Sequence, residues 1–173
     1  MTHSTYRRQL LLTSVLLPAM LVPAAARSQA PGNADLPRLE GTDAQDRPVR
    51  LSNLRGRVVL VFYWHTGCAV CRDKMHELRA NLVGWQGQAF SLLGVNSDVR
   101  KQDWLDYERL VASAVPPAQR FSSIWRGDAS TVDTMEPPTQ WPSACLIDKG
   151  GRLVARYRGR IPAQAWDDIA GLL

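Results

Sequence analysis

The run 57-RVVLVFYW-64 is the strongest constraint on the fold. Seven consecutive apolar residues from Val58 to Trp64, mostly β-branched or aromatic, suit a strand covered on both faces rather than one with a wet side. Such a strand needs partners and two covering layers. A chain of 173 residues with 45% hydrophobic content can supply them as one domain with a real core, and is too short for two ordinary domains. A second buried strand is predicted in 89-AFSLLGVNS-97. Amphipathic helices are predicted from Ala69 to Trp85 and in 101-KQDWLDYERLVASA-114, the latter ended by Pro116-Pro117. In the first helix Cys71, Met75, Leu78, Leu82 and Trp85 form the buried stripe, with Arg72, Asp73, Glu77 and Arg79 toward water. Upstream, LPRLEG and RPVRLSNLRG read as two short strands about a turn at 42-TDAQD-46. Downstream, 143-SACLID-148 and 152-RLVARYRG-159 read as a hairpin turning at Lys149-Gly150-Gly151, and 163-AQAWDDIAGLL-173 as a closing helix. Residues 118–140 yield only a short strand, a helical turn and a loop. The expected class is α/β, a mixed central sheet flanked by helices with an N-terminal β-hairpin extension.

The N-terminus has a different character. Arg7 and Arg8 precede the apolar stretch 10-LLLTSVLLPAMLV-22 and the small residues 24-AAA-26, the pattern of an export signal over residues 1–26. The stretch is well short of the roughly 20 residues that a spanning helix needs. A leader over 27–36 and a domain over 37–173 would follow cleavage. The paired arginines of 6-YRRQLLL-12 leave both the general secretory and the twin-arginine routes open, each ending in the periplasm. Cleavage removes two of the 21 Lys and Arg, so 19 basic side chains face 16 acidic ones, a net charge of +3. That balance, with no basic stripe interleaved with aromatics, argues against a nucleic-acid partner.

Cys68 and Cys71 stand where the buried strand gives way to the first helix, in 64-WHTGCAVC-71. Cysteines at i and i+3 of a helix start share a face within disulfide reach. Unpaired N–H groups and the helix dipole favour a thiolate at Cys68, whereas Cys71 lies on the buried stripe. An activated outer thiol beside a sheltered inner one is what disulfide exchange requires. Two other uses stay open. A structural staple would close so short a loop that it restrains little of the unfolded chain. Copper(I) is the serious non-enzymatic alternative, because two thiolates with His65 or Met75 would satisfy a soft ion. Zinc wants four ligands, and the domain offers only distant Cys145 with His65 and His76 besides the pair. No resident metal or other cofactor is expected. Cys145, in an apolar strand, is expected to be a buried free thiol.

The strand ending at Trp64, the C-x-x-C, the helix and the later 141-WPSACLID-148 with its Gly-rich hairpin resemble the thioredoxin fold. The likeness spans about residues 35–173 and is greatest to the exported TlpA/ResA-like thiol-disulfide oxidoreductases. It implies that Pro142 is a cis-proline facing the cysteine pair, beside which a substrate strand pairs near Cys68. Trp141 then either lines the substrate groove or packs as a loop tryptophan against the helix start, while Trp64 belongs to the core. The resemblance further implies a monomeric protein-disulfide reductase. Its partners would be client proteins with cysteines or disulfides, such as apocytochromes c or copper-site proteins, and a membrane thiol donor of the DsbD/CcdA type. A dithiol oxidase is the competing direction. The chain departs from the family pattern at several places. Ala69 and Val70 replace the usual proline between the cysteines, and Gly67 replaces a common aromatic. Lys74 stands where an acid is frequent, and Phe62 where thioredoxin keeps a buried aspartate. His65 is the remaining candidate proton acceptor, and equally an ordinary half-exposed loop histidine. Lys74 is a candidate for tuning the thiol pKa. Peroxidases of the related peroxiredoxin type need a threonine three residues before the reactive cysteine in a proline-containing loop, and neither cysteine has one.

Overall fold

The computed structural model describes Met1 and residues 36–173. The expected export signal over 1–26 and nearly all of the leader over 27–36 lie outside the described residues. In chain order the elements are β1 (Leu39–Thr42), β2 (Pro48–Arg50), β3 (Val58–Trp64), α1 (Ala69–Gly84), β4 (Phe90–Asn96), α2 (Lys101–Ala114), β5 (Ser122–Trp125), β6 (Val132–Asp133), β7 (Ser143–Ile147), β8 (Leu153–Arg158) and α3 (Gln164–Ala170). The central sheet runs β5-β4-β3-β7-β8. Its β3–β4 and β4–β5 pairs are parallel, and β7 and β8 close the other side as an antiparallel hairpin. Gly151, with φ of 80°, makes the turn between them.

Two parallel pairings in the same direction need two right-handed crossovers, so α1 and α2 fall on the same face. One apolar cluster accordingly joins Leu60, Phe62 and Trp64 of β3 to Cys71, Met75 and Leu78 of α1, Trp104 of α2 and Ala165 and Ile169 of α3. The alternate residues Val59, Val61 and Tyr63 meet Leu39, Leu51, Ile124 and Met135 on the opposite face. There the N-terminal hairpin pairs with β6 into a small antiparallel sheet, β2-β1-β6. The hairpin is thus the second cover of the main sheet, and it explains why all seven residues of β3 are buried. The flanking helices lie on one side and this small sheet on the other. Residues 118–140 resolve into a 3-10 turn at Pro117–Gln119, β5, the two-residue β6 and loop.

Two side chains expected to face water on α1 do so only in part. Glu77 and Arg79 are half-buried, because α3 and α2 close over the flanks of α1. Trp166 Nε1–H donates to Glu77, and Arg79 Nη2 donates to the Tyr107 hydroxyl at 3.2 Å. Lys74, also on the flank, is only 7% exposed.

Trp104 is the one fully buried side chain of α2, and its indole N–H donates to Ser123 Oγ of β5 at 3.2 Å. We predict that Trp104→Ala lowers the unfolding free energy by about 3–5 kcal/mol, the usual cost of emptying so large a core site. Denaturant titration of the oxidised protein measures this; a loss below about 1 kcal/mol would show that α2 is not anchored by this residue.

Candidate active site

The site forms where β3 ends. Antiparallel register pairs Tyr63 with Ser143, and its continuation sets Trp64 opposite Pro142 and His65 opposite Trp141. The rings of His65 and Trp141 meet edge to face, with centroids 5.5 Å apart. The Trp141–Pro142 peptide bond is cis, Pro142 is buried and Trp141 is 37% exposed. Trp64 lies in the core at 1% exposure.

Cys68 is the N-cap of α1, and its Sγ accepts the Cys71 backbone N–H at 3.0 Å. A sulfur held by a helix N-terminal amide in the positive field of the dipole is stabilised as thiolate. No acidic residue occupies the first turn of α1 to offset that field. The two cysteines are joined by a disulfide with Cα atoms 5.2 Å apart. Cys68 is partly exposed, whereas Cys71 has no exposed surface. Gly67 before them is exposed, and nothing but the His65 ring stands near where its Cβ would be.

The loop that presents Cys68 is fastened to the end of β4, a feature not anticipated from sequence. Thr66 donates through its backbone N–H at 3.0 Å and its hydroxyl at 2.9 Å to Asp98 Oδ1. Asn96 Nδ2 donates to Asp98 Oδ2 at 2.7 Å, while Asn96 Oδ1 accepts the Asp98 N–H. Ser97 N–H bonds the Trp64 carbonyl at 2.8 Å, and the Trp125 indole bonds the Asp98 carbonyl at 2.8 Å. The signal in the sequence is Asn96, a fully buried amide at the end of a largely apolar strand. Such a group is buried only with partners.

Lys74 Nζ pairs with Glu77 Oε2 at 2.6 Å. Burial opposes ionisation of Glu77, but the bonds from Lys74 and Trp166 prevail and hold its carboxyl below the ordinary range. Cys145 is a buried free thiol, as expected. It packs with Val61 and Tyr63 on the hairpin-covered face, so the sheet separates it from Cys71. Burial pushes its thiol pKa up, only partly offset by the Arg156 guanidinium, whose Nη1 lies 3.4 Å from the sulfur. Among the described residues, no group of three or more His, Cys, Asp or Glu is arranged to hold a metal ion. Met75, one of the copper ligands considered from sequence, is 1% exposed in the core.

The model of the AhpC/TSA family matches residues 33–162. The chain belongs to the AhpC/TSA family. Its fold is shared with a candidate thioredoxin from Neisseria meningitidis at a TM-score of 0.66 and 19% identity, covering 79% of this chain and 88% of that one. It is shared with a DsbF homologue from Corynebacterium diphtheriae at 0.62 and 17%, covering 82% and 90%. A secreted thiol-disulfide isomerase from Corynebacterium glutamicum superposes at 0.58 with 21% identity, covering 80% and 86%. The thioredoxin-like architecture expected from the sequence is therefore the one found.

Two predictions come from this geometry. Asp98→Ala should cost about 1–3 kcal/mol, because it strands the buried Asn96 amide and frees Thr66. It should also speed hydrogen exchange at the Thr66 amide; unchanged exchange would mean that Asp98 does not hold the loop. Cys145 in native reduced protein should resist alkylation until the protein unfolds, and rapid labelling would contradict its burial.

Proposed function

We propose that the chain is an exported thiol-disulfide oxidoreductase with Cys68 as nucleophile and Cys71 as resolving thiol. The observation that carries this reading is the asymmetry of the pair. One sulfur is partly exposed and capped by an amide at a helix start, and the other is fully sheltered one turn on. Cys68 thiolate attacks a client disulfide, forming a mixed disulfide and releasing one client thiolate. Cys71 thiolate then attacks Cys68 Sγ, so the pair is oxidised, the client gains two electrons and its second thiolate departs. In this reading an extended client segment pairs beside the cis Trp141–Pro142 bond, with Trp141 lining the groove next to Cys68. His65, whose ring meets Trp141 edge to face, exchanges a proton with the outer sulfur in this reading. Lys74 acts on the thiols only through the charge left after its pairing with Glu77.

Reduction is the proposed direction, with clients such as apocytochromes or copper-site proteins and a membrane thiol donor of the DsbD/CcdA type restoring the dithiol. The basic, apolar and small-residue pattern of residues 1–26 supports a periplasmic location. The description of a structural neighbour as secreted is in keeping with it.

Cys71→Ser should accumulate mixed disulfides with clients, while Cys68→Ser should not; the reverse pattern would exchange their roles. Equilibration with glutathione and dithiothreitol should place the pair near or below the cytosolic glutathione poise of about −220 to −260 mV. A value toward about −120 mV would make the protein an oxidant instead.

A further inference from the structure

Arg72 is exposed on α1, one helical turn beyond the capping Cys68. Side chains on a helix lean toward its N-terminus, and residues four apart lie one above the other. The arginine follows that direction. Its Nη1 donates to the Thr66 carbonyl at 2.5 Å, and its backbone N–H donates to the Cys68 carbonyl at 3.1 Å. Thr66 precedes Cys68 by two residues and Arg72 follows it by four. The side chain that joins them therefore passes the level of Cys68 along the helix axis. It sets a positive charge beside the turn made by Thr66, Gly67 and Cys68.

The acids around that charge are committed to other groups. Asp73 is paired with Arg160 at 3.2 Å, and Glu77 with Lys74 at 2.6 Å. Asp98, which fastens the loop, accepts from Thr66 and Asn96. The first turn of α1 carries no acid, so the helix dipole adds a field of the same sign. A guanidinium has five N–H donors in a planar fork, and Thr66 takes a bond from only one nitrogen. The remaining donors stand at an exposed position, in the shape that receives a carboxylate through two bonds.

Apolar surface lies next to this cation. Val70, two residues after Cys68, is 41% exposed, and Trp141 before the cis-proline is 37% exposed. Large apolar side chains turned outward at a reactive centre suit contact with another chain. A segment seated at Cys68 meets that surface with an unmatched guanidinium beside it.

We propose that Arg72 is a specificity-determining residue that selects clients with an Asp or Glu next to the disulfide under attack. This rests on the thiol-disulfide reading and names the class of client it acts on. The client carboxylate bonds the free edge of the guanidinium while Cys68 attacks the neighbouring sulfur. A Lys or Arg at the same client position meets a like charge and is disfavoured. The exchange itself is unchanged: the Cys68 thiolate displaces one client thiolate, and Cys71 displaces the other.

The test uses three peptides, each with one internal disulfide, that differ only in having Glu, Gln or Lys after each cysteine. Their reduction by the reduced protein is followed at pH 7, and each rate is divided by that peptide's rate with dithiothreitol. This removes the effect of the flanking charge on the disulfide itself, and the ratio between peptides cancels any effect of Arg72 on Cys68 reactivity. At about 0.01 M ionic strength wild type should favour the Glu peptide over the Lys peptide about tenfold. At about 1 M salt the preference should fall below about twofold. Arg72→Gln should bring the low-salt ratio below about threefold, and Arg72→Lys should recover most of it by restoring the charge. Equal corrected rates with wild type, an undiminished ratio in Arg72→Gln, or no recovery in Arg72→Lys each overturn the assignment. The wild-type ratio and its salt dependence decide even where a variant fails to fold, which the neutral peptide reports. A wild type that reduces none of the three peptides defeats the thiol-disulfide reading, whereas one that reduces all three alike defeats only the role of Arg72.

Discussion

Everything at the site depends on β3 being covered on both faces and then stopping. A strand with no wet side must pair its backbone groups with its neighbours, and β3 does so with β4 along its whole length and with β7 from Val59 to Tyr63. Where the sheet ends at Trp64 the chain has to turn outward, and the groups it exposes there need new partners. The end of β4 supplies them through Ser97 and Asp98, and α1 begins at once with a sulfur as its cap. The position of Cys68 is thus fixed by two strand ends and a helix start, none of which can shift without unpairing buried amides.

The sheet also explains why the two sides of the molecule have different chemistry. Helices supply one face, and α1 is enclosed between its neighbours, which draws Lys74 out of water and Glu77 and Arg79 partly so. Each of these groups then needs a partner, and Trp166 and Tyr107 provide bonds from α3 and α2. The small sheet on the other face brings Asp133 to within 3.2 Å of the Tyr63 hydroxyl, which burial holds in its neutral form.

Strong hydrophobic periods made most of this architecture legible. The run at Val58–Trp64, the stripe on α1 and the Lys101–Ala114 helix emerge as expected, with α1 ending at Gly84 rather than Trp85. The cysteine pair was legible because its spacing and its place at a helix start are both local. What stayed hidden was set by contacts distant in sequence. β6 is two residues long and has no period of its own; it exists because β1 lies alongside. Thr66 meets Asp98, 32 residues away, and the exposure assigned to Glu77 and Arg79 assumed an α1 flank that α2 and α3 cover.

The separation of Cys145 from the pair by the thickness of the sheet bears on how the chain matures. Three cysteines permit three pairings, and in an unfolded chain under oxidising conditions nothing but loop length discriminates among them. Closing Cys68 onto Cys71 is by far the shortest loop, while either link to Cys145 spans more than seventy residues. Once β7 docks against β3, Cys145 is sealed on the hairpin-covered face and the erroneous pairings lose their access. Formation of the sheet therefore acts as a proofreading event that keeps the third sulfur away from the pair.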